Sequence, residues 1–289
     1  QFQPSNMGVA FEVIVLDIEG TICPISFVHD KLFPYAAANV ESFLKDDANF
    51  NHPDVKNALG VMKEDAEKEI AGGDNQIRAI KDTDKSAIPD IVHNVKHWIK
   101  LDKKLPGLKE LQGRIWRVGY ESGQLKSELF PDVITAIKQL FPLLEIYTYS
   151  SGSIEAQQLL LQYTAGDYDL GGHIRCCFSL QDIGHKREVG SYVRLADACS
   201  KDPAKILFVT DVEQEAAAAK EAGMQTMLMV RPGNAPLSEY AKANYEIIYN
   251  MCALMSQEMI NEISKHEQDA HIDALRKFVA VCRTPASLT

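Results

Sequence analysis

No stretch of this sequence approaches the roughly 20 consecutive apolar residues that span a bilayer. Nor does it open on a basic segment followed by an apolar one, as a secretory signal does. No membrane partner is expected, and the protein is expected to be soluble and unsecreted. Basic residues are in deficit: 30 Lys and Arg stand against 40 Asp and Glu, a net charge of −10. That balance repels polyphosphate backbones, so no nucleic acid is expected as a partner. The six cysteines, Cys23, Cys176, Cys177, Cys199, Cys252 and Cys282, show no Cys-x-x-Cys spacing, which argues against zinc ribbons and dithiol redox sites. They suit small core residues in a reducing compartment. The expected location is the cytoplasm, with the nucleus as a second compartment, and the expected state is a monomer. Internal repeats and low-complexity tracts are also missing.

What the chain does have is 46% hydrophobic residues over 289 positions, enough for one large core or two smaller ones. Five short apolar runs read as strands: Val13 to Leu16, Leu143 to Tyr149, Arg175 to Phe178, Ile206 to Val209 and Met224 to Val230. Their near-continuous apolar character fits strands covered on both faces. The later runs alternate with helical patterns over Ser153 to Tyr163, Gly190 to Cys199 and Glu213 to Ala222. This predicts an α/β fold, a doubly wound and mostly parallel sheet.

More than a hundred residues without a strand pattern separate the first two runs. They predict an inserted all-helical domain, with helices over Val28 to Leu44, Pro53 to Ile70, Pro89 to Leu101 and Leu108 to Gly119. Residues Pro131 to Phe141 then return the chain to the sheet as a helix. The expected division is a discontinuous core over 7–24 and 129–255, a helical insertion over 25–128 and a C-terminal extension over 256–289. That extension carries a helical apolar stripe from Met255 to Cys282, which can pack on its own domain or bind a partner. Its His266 and His271 are five apart, not the four that a zinc-protease helix needs.

Ligands of open α/β sheets bind beyond the carboxyl ends of the strands. Four such ends carry polar groups here: Asp17-Ile18-Glu19, Ser150-Ser151-Gly152-Ser153, Gly184-His185-Lys186 and Thr210-Asp211, with Glu215 one helical turn on. Singly, each has an ordinary explanation: a solvated turn carboxylate, a helix N-cap or a surface lysine. Together they offer an anion site at a helix start, a cation to offset crowded negative charge, and oxygen donors that suit magnesium.

The order acid pair, hydroxyl, lysine, acid resembles the haloacid dehalogenase superfamily. Asp17-Ile18-Glu19-Gly20-Thr21, Leu111-Gln112-Gly113 with Trp116-Arg117, Tyr149-Ser150-Ser151-Gly152-Ser153, Gly184-His185-Lys186, Thr210-Asp211-Val212 and Arg231-Pro232-Gly233-Asn234-Ala235 look like the enolase-phosphatases of methionine salvage. That resemblance implies a haloacid-dehalogenase-like core and a small phosphorylated diketone as substrate. It implies Asp17 as nucleophile, Glu19 as acid and base, and Ser150 and Ser151 as phosphate ligands. Lys186 would be both catalytic and substrate-binding, and Mg2+ would be held by Asp17, Glu19 and Asp211. It also implies that the insertion caps the site, with Leu111 to Arg117 reading the substrate's apolar end. Glu19, where most of the superfamily has Asp, is itself discriminating. Ile22-Cys23, where the family usually has two threonines, is a departure that bears on specificity. Two rivals stand beside this reading: a capped phosphatase for another small ester, and a non-catalytic interaction protein using its C-terminal helix.

Overall fold

The computed structural model describes residues 11–254. The apolar stripe from Met255 to Cys282 and the pair His266 and His271 lie outside the described residues. Six parallel strands form one sheet in the order β3-β2-β1-β4-β5-β6: β1 Val13–Leu16, β2 Glu145–Tyr149, β3 Cys176–Phe178, β4 Ile206–Thr210, β5 Gln225–Met229 and β6 Glu246–Ile248. The chain leaves β1 towards β2 on one side and pairs it with β4 on the other. β1 is therefore the switch point of a doubly wound sheet, where a binding crevice opens.

All four β1 residues are completely buried, as expected of a strand with helices over both faces. On one face Val13 and Val15 pack with Tyr149, Phe178, Tyr192, Leu195 and Phe208. Register then sets the crevice: Leu16 pairs with Thr148 of β2 and with Val209 of β4. The next residues, Asp17, Tyr149 and Thr210, consequently end their strands at one level.

The five expected strands are present, within a residue or two of their expected bounds. β6 is an addition. Its three residues include only two apolar ones, too short a run for any periodicity to register.

The chain divides into two compact units, Ser26–Lys126 and the remainder. Taken alone, the first has only helices among its regular elements, chiefly Phe33–Lys45, Pro53–Ala71, Ile88–Lys100 and Pro106–Glu121. The expected helix from Val28 is a π-helical turn, Val28–Leu32, running into an α-helix. The Phe33 N–H bonds to Val28 O, five residues back. Pro34 follows and has no N–H to lose, so the slip costs little there. The helix Pro106–Glu121 lies close against Pro53–Ala71 through Gly107, where a Cβ would fall 2.7 Å from Met62. Its residues Leu111, Gln112, Gly113, Ile115 and Trp116 are buried. Trp116 Nε1 donates to Leu32 O at 2.8 Å, and Arg117 pairs with Glu121 at 3.4 Å. Among the described residues no helix is long and apolar enough to cross a membrane.

Candidate active site

Asp17 lies one residue beyond β1, where its carboxylate is enclosed by donors. Oδ1 accepts from Ile18 N at 2.7 Å and pairs with Lys186 Nζ at 2.6 Å; Oδ2 accepts from Thr210 Oγ1 at 3.1 Å. Lys186 Nζ also meets Glu215 Oε2 at 2.7 Å, and Thr210 Oγ1 lies 2.8 Å from that same oxygen. One ammonium and one hydroxyl thus join two carboxylates, with Asp17 and Lys186 both under a tenth exposed. Burial pulls the Lys186 ammonium down, but Asp17 and Glu215 outweigh it and raise it to about 12. Glu215 is raised, first by burial and then by the Asp17 charge.

The placement of Lys186 follows from local sequence. Ser179 and Asp182 form a capping box that starts the short helix Leu180–Ile183. Gly184 ends that helix at φ +112°, and a side chain there would collide with Arg194. Tyr149 Oη donates to Gly184 O at 2.7 Å, Tyr192 Oη to Lys186 O at 2.6 Å and Arg194 Nε to Ile183 O at 2.6 Å. With its backbone held at these points, the lysine reaches inward between the Tyr149 and Phe208 rings, 5.8 Å from each centroid.

Ser150, buried beyond β2, accepts from Gly152 N through Oγ at 3.1 Å, which leaves its hydroxyl proton to donate elsewhere. Its loop is anchored by buried Gln157. Gln157 Nε2 donates to Phe178 O at 2.9 Å and Gly152 O at 3.2 Å, while Oε1 accepts from Thr148 Oγ1 at 2.7 Å. Ser153 caps the following helix by accepting from Ala156 N at 3.2 Å. Exposed Ser151 lines a cavity of about 400 Å³ together with His185, Lys186, Arg187 and Glu215.

Glu19 is half-buried, in a tight loop where Ile18 O accepts from the N–H groups of Thr21, Ile22 and Cys23. It forms an isolated bridge with Cys23. The Cys23 thiol is pushed up by burial, then by Glu19 and Glu128. Asp211 follows β4 and is raised to about 7, first by burial and then by the Asp17 charge. Gly20, at φ +77°, lets the loop pass over Asp211; a Cβ there would strike its carboxylate. Gly20→Ala is expected to destabilise the protein by at least about 1–2 kcal/mol through backbone strain alone. Thermal denaturation checks this, and an unchanged midpoint would contradict it.

Among the described residues no three His, Cys, Asp or Glu side chains converge as a ready metal cluster. The donor set at this crevice nevertheless suits a hard cation. Asp17 and Glu215 share the Lys186 ammonium, and Asp211 follows the neighbouring strand β4, raised first by burial and then by the Asp17 charge, so oxygen donors gather at this edge. Two contributors carry little sequence signal: Gln157 reads as a polar interruption in an apolar helix and Tyr192 as core; Thr210 is visible beside Asp211, but its bonds to Asp17 and Glu215 are not. Only the Ser179-to-Asp182 spacing, a capping-box pattern, was there to reveal the helix before Lys186.

A doubly wound sheet with two acids, a hydroxyl and a lysine converging at its switch point defines a haloacid dehalogenase-like hydrolase, and the family model of that description matches residues 11–223. Enolase-phosphatase E1 of Caenorhabditis elegans is 41% identical over 246 residues, covering 84% of this chain and 96% of the relative. That of Drosophila persimilis is 38% identical over 257 residues, covering 89% and 99%. The solved Unknown transcript 4 protein of Saccharomyces cerevisiae is 32% identical, with a TM-score of 0.66, covering 83% of this chain and 98% of that one. Within the haloacid dehalogenase-like hydrolases, the chain belongs to the enolase-phosphatase E1 family.

Proposed function

We propose that this chain enolises 2,3-diketo-5-methylthiopentyl 1-phosphate and then dephosphorylates the enol phosphate. The products are the acireductone 1,2-dihydroxy-3-keto-5-methylthiopentene and phosphate, and the reaction is a step of methionine salvage. The observation that carries the reading is the enclosure of Asp17 by Lys186 and Thr210 beside Ser150 and Asp211, in a chain about 40% identical to enolase-phosphatases over most of its length. In this reading Asp17 attacks phosphorus to give an aspartyl-phosphate, which divides one hard displacement into two easier ones. Glu19 protonates the leaving oxygen, then takes the proton of the water that hydrolyses the intermediate. Ser150, Ser151 and Lys186 hold the non-bridging oxygens, where charge concentrates in the loose transition state. Asp17, Asp211 and the Glu19 position would hold magnesium, which would supply charge neutralisation between carboxylate and phosphate and a Lewis acid for enolisation. The substrate is a small molecule, and the enzyme acts as a cytoplasmic monomer. Five free cysteines among the described residues agree with a reducing compartment.

The test is incubation with the diketo phosphate and Mg2+, following the enol by absorbance and phosphate by release. Both signals are expected, both are expected to disappear with a chelator, and both should return with added Mg2+. Efficient cleavage of simple sugar phosphates with the diketo phosphate left untouched would overturn the substrate assignment. Turnover that is indifferent to the chelator would overturn the metal.

A further inference from the structure

Arg231 is buried, and all three nitrogens of its guanidinium have partners. Nη1 and Nη2 meet the two Asp132 oxygens at 2.8 Å each, Nη1 also reaches Tyr249 O at 3.3 Å, and Nε donates to Thr21 O at 3.1 Å. The Phe130 ring lies 4.4 Å from the guanidinium carbon. Asp132 is held in turn by Met251 N at 2.6 Å. Three residues beyond Arg231, Asn234 Nδ2 donates to Gly20 O at 2.9 Å, while Phe130 N donates to Ile22 O at 3.0 Å. Three successive carbonyls of the loop that follows Glu19 are therefore gripped from outside it, two by side chains of one distant segment.

A buried ion pair adds little net stability, because desolvation offsets its Coulomb energy, and an apolar pair of similar volume often serves as well. What the pair supplies here is direction. The planar fork on Asp132 fixes the orientation of Nε, and Nε fixes Thr21 O. The rest of the loop is short enough to transmit that constraint, since Ile18 O collects three N–H groups and Gly20 N donates to Cys23 O at 2.8 Å. Glu19 sits inside this coil, so a shift of the Gly20 and Thr21 carbonyls moves the Glu19 backbone. Asp17 has anchors outside this loop, Lys186 and Thr210, besides the Ile18 N–H.

We propose that Arg231, oriented by Asp132 and assisted by Asn234, is a positioning residue for Glu19: it holds the acid-base carboxyl over the leaving oxygen without touching substrate. The proposal rests on the reading of Glu19 as general acid. Proton donation matters most when the leaving group is poor, and general acid-base catalysis contributes about 10²–10⁴-fold. Misplacing the acid therefore slows poor leaving groups selectively, whereas a merely structural defect slows all substrates alike.

The experiment measures kcat/KM with Mg2+, which reports phosphoryl transfer to Asp17 and not hydrolysis of the intermediate common to all esters, on 4-nitrophenyl phosphate, whose leaving group is good, and on phenyl phosphate, whose leaving group is poor. It compares wild type, Glu19→Gln, Arg231→Lys and Asn234→Ala. Glu19→Gln is expected to lose about 10²-fold or more on the phenyl ester relative to the nitrophenyl ester. Arg231→Lys should show the same selectivity at about tenfold or more, and Asn234→Ala a smaller selectivity of the same sign. Equal loss on both esters, or no loss, in Arg231→Lys and Asn234→Ala would overturn the proposal while Glu19→Gln remains selective. An unselective Glu19→Gln would instead overturn the role of Glu19 as acid. Should Arg231→Lys not fold, Asn234→Ala, which removes a partly exposed side chain, decides the matter by the same ratio.

Discussion

Replacing Asp17 by Asn is expected to lower phosphate release by about 10⁴-fold or more and to leave the fold intact. An amide has no anionic oxygen to attack phosphorus, so the covalent route closes. The surroundings tolerate the exchange. The amide oxygen can keep the Ile18 N and Lys186 Nζ bonds made by Oδ1 at 2.7 and 2.6 Å. The new NH2 then faces Thr210 Oγ1, a hydroxyl that can accept while giving its own proton to Glu215 Oε2 at 2.8 Å. Steady-state phosphate release with Mg2+, read beside circular dichroism, checks both halves. Undiminished turnover would remove Asp17 from the mechanism, and an unfolded variant would contradict this exchange of hydrogen bonds.

The tolerance depends on Thr210, which shows how far the sequence reaches. β1 was legible because Val13 to Leu16 is short, apolar and bounded by an acid, and buried parallel strands have that form. Asp17, Ser150 and Asp211 were legible as strand-end groups because each lies just past an apolar run, and the carboxyl ends of parallel strands share one edge; Lys186 stands farther on, behind the helix Leu180–Ile183. The partners that fix these groups were not legible. Thr210, Gln157 and Tyr192 act through side-chain hydrogen bonds to groups on other elements, and no spacing along the chain encodes those pairings. Asp132 and Arg231 are 99 residues apart, and neither position is periodic. β6 and the helix before Lys186 were missed because three or four residues cannot establish a period. In the Leu111 to Arg117 segment the apolar side chains Leu111, Ile115 and Trp116 are buried, which the mixed apolar and cationic run does not reveal.

Replacing Lys186 by Met is expected to abolish most activity, by about 10²-fold or more, and to destabilise the metal-free protein in a pH-dependent way. Lys186 Nζ is the shared counter-charge of Asp17 and Glu215, at 2.6 and 2.7 Å, in a place all but closed to solvent. Without it two carboxylates remain buried beside one Thr210 proton, and breaking such a pair typically costs 3–5 kcal/mol. Protonation limits the loss. Glu215 is already pushed upward, first by burial and then by the Asp17 charge, so it is the carboxyl that takes up a proton when the ammonium is gone. In the variant its folded-state pKa lies still further above the unfolded value. For an acid raised by folding, the penalty is absent below the unfolded pKa and grows by about 1.4 kcal/mol per pH unit up to the folded pKa. Chemical denaturation in a chelator should therefore find Lys186→Met less stable than wild type, by a margin that is smallest in acid and widens as pH rises towards 7. The double variant Lys186→Met with Glu215→Gln should regain most of that stability at pH 7 and none of the activity, because one buried charge is gone while Asp17 keeps its Ile18 and Thr210 donors. A loss of stability that ignores pH, or a double variant no more stable than the single one, would show that Lys186 is held by packing and not by the two carboxylates.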